Sequence, residues 1–495
     1  MTAPLLSKSR FLAGLQCELR LWHTCYNRDL AAEISPVQQH IFDTGHEVGE
    51  LATRLYPGGV LIEEDYLHHG EAVLHTCRAM ADPGVKAIFE AAFLHDGVRI
   101  RVDILERLPA GAWNLIEVKS STGTKDIHVP DVSIQHYVLQ GAGLKMDGVF
   151  LMHLNREYTF DGGQWNLEQL FARSTMKRPA LSYQGQIPER LARFNSMLER
   201  PDPPDILPSR HCKNPYECEF WDHCTGVMPE HWVMELSGIT EQKLMELASQ
   251  GIHDIRQVPE AYPLTMIQRR IRECVLMESE YIAPELAQEL GTVEYPVHFL
   301  DFETASPALP RYTGTRPYQR IPFQWSDHVL SREGSLVHQE YLSDQAVDPR
   351  EEFARSLVDV LGERGTVFIY TGYEMDIVRD LAAFLPAYRR DLVEPMRRFK
   401  DLHAIIRRSY YHAAFHGSFS LKAVLPAVVP GMDYGNLAIQ EGGHASMKYL
   451  HMIEASTPLE EKERIRGELS AYCGFDTLAM VRIREALLRK CQGIS

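Results

Sequence analysis

One run of apolar residues that ends in two carboxylates constrains this chain more than any other stretch. Val297-His298-Phe299-Leu300 has the character of a buried strand, and Asp301-Phe302-Glu303-Thr304 continues it with two acids. In a strand, residues i and i+2 share a face, so Asp301 and Glu303 project together from the end of a buried segment. Two such carboxylates repel unless a proton or a cation lies between them. By spacing alone the pair is either a strand end reaching solvent or a cation site, and the rest of the chain must decide between them.

A length of 495 residues implies two to four domains. No stretch approaches the ~18 uncharged residues of a membrane span, so a soluble, cytoplasmic protein without a membrane partner is expected. The net charge of −16 argues against a surface that binds nucleic acid everywhere. It leaves room for a local basic groove, and clustered metal-binding acids add to the negative count. Three of the nine cysteines, Cys212, Cys218 and Cys224, fall within HCKNPYECEFWDHC. A disulfide framework would not concentrate three in one short stretch, whereas metal or cluster ligation would. The fourth ligand must then come from elsewhere.

The N-terminal third reads as helices followed by short strands. LLSKSRFLAGLQCELRLWHTC has helical spacing and contains Cys17, and FDTGHEVGELATRLYPGG predicts a helix ending at Pro57-Gly58-Gly59. His46 and Glu50 lie one turn apart on that helix. In KAIFEAAFLHDGVRIRVDILERL, Asp96-Gly97 between alternating runs predicts a hairpin. Asp103 lies on the second strand, and a break at Pro109-Ala110-Gly111 precedes WNLIEVKSST. There Glu117 and Lys119 share one face while Val118 points the other way. Gln135 belongs to the following helix, VSIQHYVLQGAGL. An aspartate on one strand with Glu-x-Lys on the next can hold Mg²⁺, leaving the lysine to position a water or to steady the phosphorane.

The order Asp103…Glu117-Val118-Lys119…Gln135 resembles the PD-(D/E)XK nuclease superfamily, and more narrowly RecB-like exonucleases of CRISPR adaptation and of the AddB helicase–nuclease subunit. Those enzymes carry an iron–sulfur cluster on one cysteine before the nuclease core and three after it, the layout of Cys17, Cys212, Cys218 and Cys224. The resemblance covers residues 5–225. It implies a restriction-endonuclease-like domain over 1–228 with a [4Fe-4S] cluster on these four thiolates, zinc being the alternative. It also implies Asp103, Glu117, the Val118 carbonyl and Glu50 (or His46) as Mg²⁺ or Mn²⁺ ligands, and Lys119 and Gln135 as catalytic groups. Leu139 stands where the family has a tyrosine, and the last three cysteines are evenly spaced where the family has a close pair and then a longer gap.

PDPPDILP (201–208) excludes regular helix. Residues 229–290 read as short helices, either a helix-hairpin-helix-like module that turns at Gly251 or a plain helical linker. Gln268, Arg269, Arg270 and Arg272 are its natural phosphate contacts.

In the C-terminal part, GTVFIY is a buried strand running into TGYEMDIVRDL, which carries Glu374 and Asp376 at a helix start, where the dipole favours an anion. Asp401 follows, and GELSAYCGFDTLAM places Tyr472 and Asp476 one turn apart on a final helix. Asp-x-Glu on a first strand, an acid after a later strand and Tyr-x-x-x-Asp on a last helix resemble the tyrosine subtype of DEDD exonucleases. That resemblance implies a ribonuclease H-like domain over 291–495. Asp301, Glu303, Asp476 and Glu374 (or Asp376 or Asp401) would hold two divalent ions, with Tyr472 orienting the water. A packed helical tyrosine is the other reading of Tyr472. The whole order also looks like a bacterial family of uncharacterised RecB-like/ribonuclease H-like fusions.

The expectation is thus a multidomain α/β, metal-dependent nuclease. DNA is favoured over RNA, with exonucleolytic action on single-stranded or frayed ends and a role in repair or phage defence. The alternatives are a nucleic-acid-binding protein with one inactive site and an RNA-processing exonuclease.

Overall fold

The computed structural model describes residues 4–109 and 111–493, a mixed α/β chain with more than one sheet. It divides into two compact units, Met1–Val227 with Pro307–Gln319, and Met228–Ser306 with Arg320–Ser495. Two differences from the expected boundaries follow from apolar surface. Residues 229–290 do not stand apart, because Leu244, Leu247, Ile271 and Val275 share one core with Phe299, Phe368 and Tyr472. Residues 307–319 join the first unit, where Ala308 and Leu309 pack with Phe89, Ile104 and Ile116, and Trp165 Nε1 donates to the Pro310 carbonyl at 3.0 Å.

The first unit begins with helices α1 (Lys8–Gln16), α2 (Glu18–Tyr26) and α3 (Pro36–Thr53). Strands β1 (Ala87–His95), β2 (Val98–Arg107) and β3 (Trp113–Lys119) then form an antiparallel meander. The β1–β2 loop is Asp96-Gly97, with φ of 48° and 73°, the two left-handed positions that a two-residue hairpin requires. Of the break before β3, Ala110 lies outside the described residues. Helix α4 (His128–Gly141) crosses over to β4 (Met146–Leu154), which pairs parallel to β3, and β5 (Phe171–Thr175) closes that edge antiparallel. Helix α4 is buried on nearly every side, so its polar residues Asp131, Ser133 and Gln135 must find partners inside the protein.

In the second unit, α6 follows α5 (Ile187–Leu198, of the first unit) and spans Glu241–Ser249. Gly251, at φ 72°, ends its turn as the sequence predicts. No second helix abuts that turn. A single turn at Ile255–Gln257 intervenes, and α7 (Met266–Met277) starts only after Pro259 and Pro263, which disfavour a helix interior. The sheet consists of β6 (Val297–Ala305), β7 (Ile321–Leu330), β8 (Leu336–Leu342), β9 (Thr366–Ile369) and β10 (Phe399–Asp401), in the order β8-β7-β6-β9-β10. Strand β7 runs antiparallel to both of its neighbours, β6 and β8, and β9 and β10 run parallel to β6. Helices α8 (Tyr373–Phe384), α9 (Leu402–Ser409), α10 (Leu421–Val428), α11 (Gly442–Met452) and α12 (Leu459–Gln492) complete the elements that matter here.

Central strand β6 is covered on both faces. Leu300 and Phe302 enter one core with Phe353 and Ile377. Val297 and Phe299 enter the other, with Leu469 and Tyr472 of α12. Asp301 and Glu303 continue that second row, so the acids lie on the face that α12 covers. Among the described residues, no helix is long and apolar enough to cross a membrane.

Candidate functional site

In the second unit, Asp301 and Glu303 meet carboxylates from two further elements. Glu374 lies in the first turn of α8, is 2 % exposed, and hydrogen-bonds with Asp301. Asp476 comes from α12, where Tyr472, one turn earlier, also hydrogen-bonds to it. The turn leading into α8 holds Thr371 at φ 107°, a costly conformation for a β-branched residue. The other two candidate acids sit elsewhere. Asp376 is on the surface, 2.7 Å from Arg379, and Asp401 caps α9 by accepting from the Ala404 amide at 2.8 Å. Asp401 is still close enough for its charge to raise Glu374.

Three residues of this site were not anticipated. Cys473 Sγ lies 3.6 Å from Asp301 Oδ2, and the Asp301, Glu303 and Cys473 ligand atoms all fall within 4.8 Å of one another. Tyr434 donates its hydroxyl to Asp476 Oδ1. Lys422 Nζ lies 5.6 Å and 5.8 Å from the Tyr434 and Tyr472 rings, and its charge acts on Glu303 and Asp476. Cys473 follows Tyr472 directly and Lys422 ends the Gly-Ser-Phe-Ser-Leu-Lys turn, so both had a positional signal. Tyr434 had none.

Burial first, then the Asp476 charge, pushes Asp301 and Glu303 well above the carboxylate range. Burial also lifts Glu374 to about 8 and Asp476 to about 6. One lysine faces four acids. The buried Glu374 Oε2 has no hydrogen-bond partner. Such a donor set is starved of positive charge, and hard divalent ions with oxygen preference fit it.

In the first unit, Asp103 accepts from the Val118 amide at 2.7 Å, and Gln135 Nε2 donates to Glu117 Oε2 at 2.7 Å. Lys119 Nζ contacts Glu117 at 2.6 Å and Asp131 at 2.8 Å. Lys8, the first residue of α1, duplicates it, at 2.8 Å from Glu117 and 3.2 Å from Asp131. Neither Lys8 nor Asp131 was anticipated. Asp131 stands one turn before Gln135 on α4, a spacing that could have revealed it. Burial raises Asp103 to about 8. It works against ionisation of Glu117 too, but Lys119 and Lys8 outweigh it and hold Glu117 below the usual carboxylate range. Here three acids face two lysines. Glu50 and His46 are exposed on α3, and their side chains make no hydrogen bond or ion pair with this group among the described residues.

Cys17 links α1 to α2 and caps the latter. The adjoining Gln16 Nε2 donates at 2.8 Å to the His211 and Tyr216 carbonyls, while Arg20 pairs with Glu219 at 2.8 Å. The helix junction is thereby fastened to the loop of Cys212, Cys218 and Cys224. Cys212 and Cys218 pack with Phe220, and the Cys218 amide donates to the Cys212 carbonyl at 2.7 Å. Burial, then the neighbouring Cys218 and Cys17, raises the Cys224 thiol, and burial lifts Cys218 to about 11. All nine cysteines are free thiols. Cys212 and Cys218 are buried and Cys17 and Cys224 half-buried, so thiols from two ends of this unit stand at its junction.

The predicted phosphate contacts on α7 behave otherwise. Arg270 Nη1 donates to the Arg408 carbonyl at 2.8 Å, Arg272 Nε to the Val258 carbonyl at 2.8 Å, and Gln268 Nε2 to the Ser237 carbonyl at 3.2 Å. Two of the three arginines thus brace the main chain, and Arg269 is exposed.

A family model described as a domain of unknown function (DUF2779) matches residues 298–420, a span that holds Asp301, Glu303 and Glu374 and stops short of Lys422, Tyr472 and Asp476. No curated protein and no solved structure matches the chain.

Proposed function

We propose that this chain is a metal-dependent nuclease whose principal active site is the carboxylate cluster of the second unit, acting as a DNA exonuclease on single-stranded or frayed ends. The observation that carries the reading is the convergence of Asp301, Glu303, Glu374 and Asp476 with Tyr472. Asp301 and Glu303 stand on the first strand of a sheet whose order, numbered within the unit, is 3-2-1-4-5 with the first three strands successively antiparallel, and Glu374, Tyr472 and Asp476 reach it from two helices. That order supports the ribonuclease H-like resemblance. In the first unit, three meander strands and a helical crossover to a parallel strand support the restriction-endonuclease-like one.

The four acids would hold Mg²⁺ or Mn²⁺. When bound, such ions stabilise the attacking and leaving oxygens of an in-line displacement. Burial, then the Asp476 charge, keeps the Tyr472 phenol far above its ordinary range, so it stays protonated. Its role is to orient a water through a hydrogen bond rather than to act as a base. Lys422 offers a fixed positive charge beside Glu303 for a phosphate oxygen. The four cysteines would hold a cluster as a staple closing the first unit, with no part in hydrolysis.

A second reading concerns the first unit alone. Two of its three acids, Glu117 and Asp131, are already paired with Lys8 and Lys119, which favours a nucleic-acid-binding role with little catalysis there.

The test is a panel of end-labelled single-stranded, frayed and duplex DNA with matched RNA, with Mg²⁺ or Mn²⁺. Asp301→Asn should lower cleavage about 1,000-fold, equivalent to about 4 kcal/mol, and Lys119→Ala should spare it. Faster cleavage of RNA would move the substrate assignment to RNA processing. Intact substrates under every condition would refute the nuclease reading.

A further inference from the structure

A second metal-ligand constellation lies in the same unit, apart from the acids already described. His231, Glu235 and His416 bring one ligand atom each to within 4.8 Å of one another. His416 Nδ1 stands 3.2 Å from Glu235 Oε1, and His231 Nδ1 stands 3.9 Å from Glu235 Oε2. Ligand atoms on a tetrahedral zinc with bonds of ~2.0 Å are separated by ~3.3 Å, so these spacings need only small side-chain adjustments. The two imidazoles lie nearly parallel, 5.8 Å between centroids and 22° between planes, with both Nδ1 atoms toward the glutamate. His231 Nδ1 is buried and makes no hydrogen bond.

The backbone holds this arrangement from both sides. The His231 carbonyl accepts from the Ile255 amide, and the Val233 amide donates to the His253 carbonyl, each at 2.8 Å. Glu235 ends the single turn Val233–Glu235. On the other side His416 has φ 46°, a left-handed position where histidine is uncommon and glycine is the default. Gly417 follows at φ 73°, and any Cβ there would overlap the Glu235 carbonyl. The chain therefore places a histidine in a costly conformation and a glycine in an obligatory one, and together they bring an imidazole onto Glu235.

We infer that His231, Glu235 and His416 form a site for a borderline divalent transition ion, zinc by preference, with a fourth position open to water. Two imidazoles and one carboxylate suit zinc better than the oxygen-seeking ions of the acid cluster. The ion would pin the turn 413–417 to the segment 231–235. That turn leads, through Phe419, whose carbonyl accepts from the Tyr370 hydroxyl at 2.7 Å, into α10 and Lys422. The consequence is structural: a fixed origin for the helix that carries Lys422.

The experiment uses the full chain carrying Asp301→Asn, which removes the competing acid site. Zinc is titrated while bound metal and thermal midpoint are measured. Beyond any zinc held by the four thiolates, the background protein should bind one zinc that Glu235→Gln and His416→Asn each weaken about 100-fold. Asparagine tolerates the left-handed backbone, so His416→Asn separates ligand loss from misfolding. Cobalt in the same site should give a nitrogen- and oxygen-ligand spectrum without thiolate charge-transfer bands. Equal zinc content and equal thermal gain in the background protein and both variants would overturn the site, leaving an ordinary histidine–glutamate pair.

Discussion

Glu374 shows how much one residue's setting decides. The sequence puts Glu374 first for the second acid of the cluster, with Asp376 and Asp401 as alternatives, since all lie near a strand end or a helix start. Asp376 is spent on Arg379 at the surface and Asp401 on capping α9, while Glu374 alone is buried against Asp301. Glu374→Gln should therefore abolish cleavage as Asp301→Asn does, and Asp376→Ala should leave it within twofold in the same labelled-strand assay. Removing a buried like charge also relieves repulsion. The metal-free Glu374→Gln protein should be more stable by about 1 kcal/mol, read as a higher urea midpoint. Tyr472→Phe should lower turnover by about 10²-fold without changing Mn²⁺ affinity, because Tyr434 still bonds Asp476. Equal loss of affinity and turnover would make Tyr472 a packing residue. Tyr434 reaches the site through a tertiary contact with Asp476, far away in sequence, which no local spacing encodes.

At the scale of elements, the sequence was most legible where periodicity and burial agree. The FLDFET strand, its two-faced burial and the Asp96-Gly97 hairpin follow from alternation and turn chemistry. The tight helix-hairpin-helix did not form, because Pro259 and Pro263 delay the second helix. Arg270 and Arg272, read as phosphate contacts, each also donate to main-chain carbonyls, which a charged helix face in the sequence does not signal. Helix α1 illustrates the same limit. Its apolar face and Cys17 were readable, but its first residue Lys8 reaches Glu117 and Asp131 across the fold. Lys8→Met should cost about 2 kcal/mol in chemical denaturation of the first unit. The loss of one partner from a buried pair is worth about 3–5 kcal/mol, discounted here because Lys8 keeps some exposure. An unchanged midpoint would show that Lys119 alone satisfies the two acids.

For the whole molecule, the two acid groups predict how stability and metal binding depend on pH. Burial raises Glu374 and Asp103 to about 8 and Asp476 to about 6, and Asp301 and Glu303 rise further. The folded, metal-free chain then binds more protons than the unfolded one, and stability must fall as pH rises. The contribution is fully present below the unfolded carboxylate values near ~4 and is lost as pH climbs through about 8. His328, lowered to about 4 by burial and then by His338, opposes this only between its unfolded value of ~6.5 and about 4. The range from pH 6.5 to 8.5 lies above that opposing window, and His68, raised by its Asp65 hydrogen bond, adds to the drop there. The thermal midpoint of chelator-treated protein should drop across that range, and saturating Mn²⁺ should flatten the drop, because the ion takes the place of the protons. Glu374→Gln and Asp103→Asn should each remove a share of the drop, since burial raises both carboxyls to about 8. A drop that Mn²⁺ leaves unchanged, or that follows Asp103 alone, would mean that the second unit's acids are held by protons and not by metal.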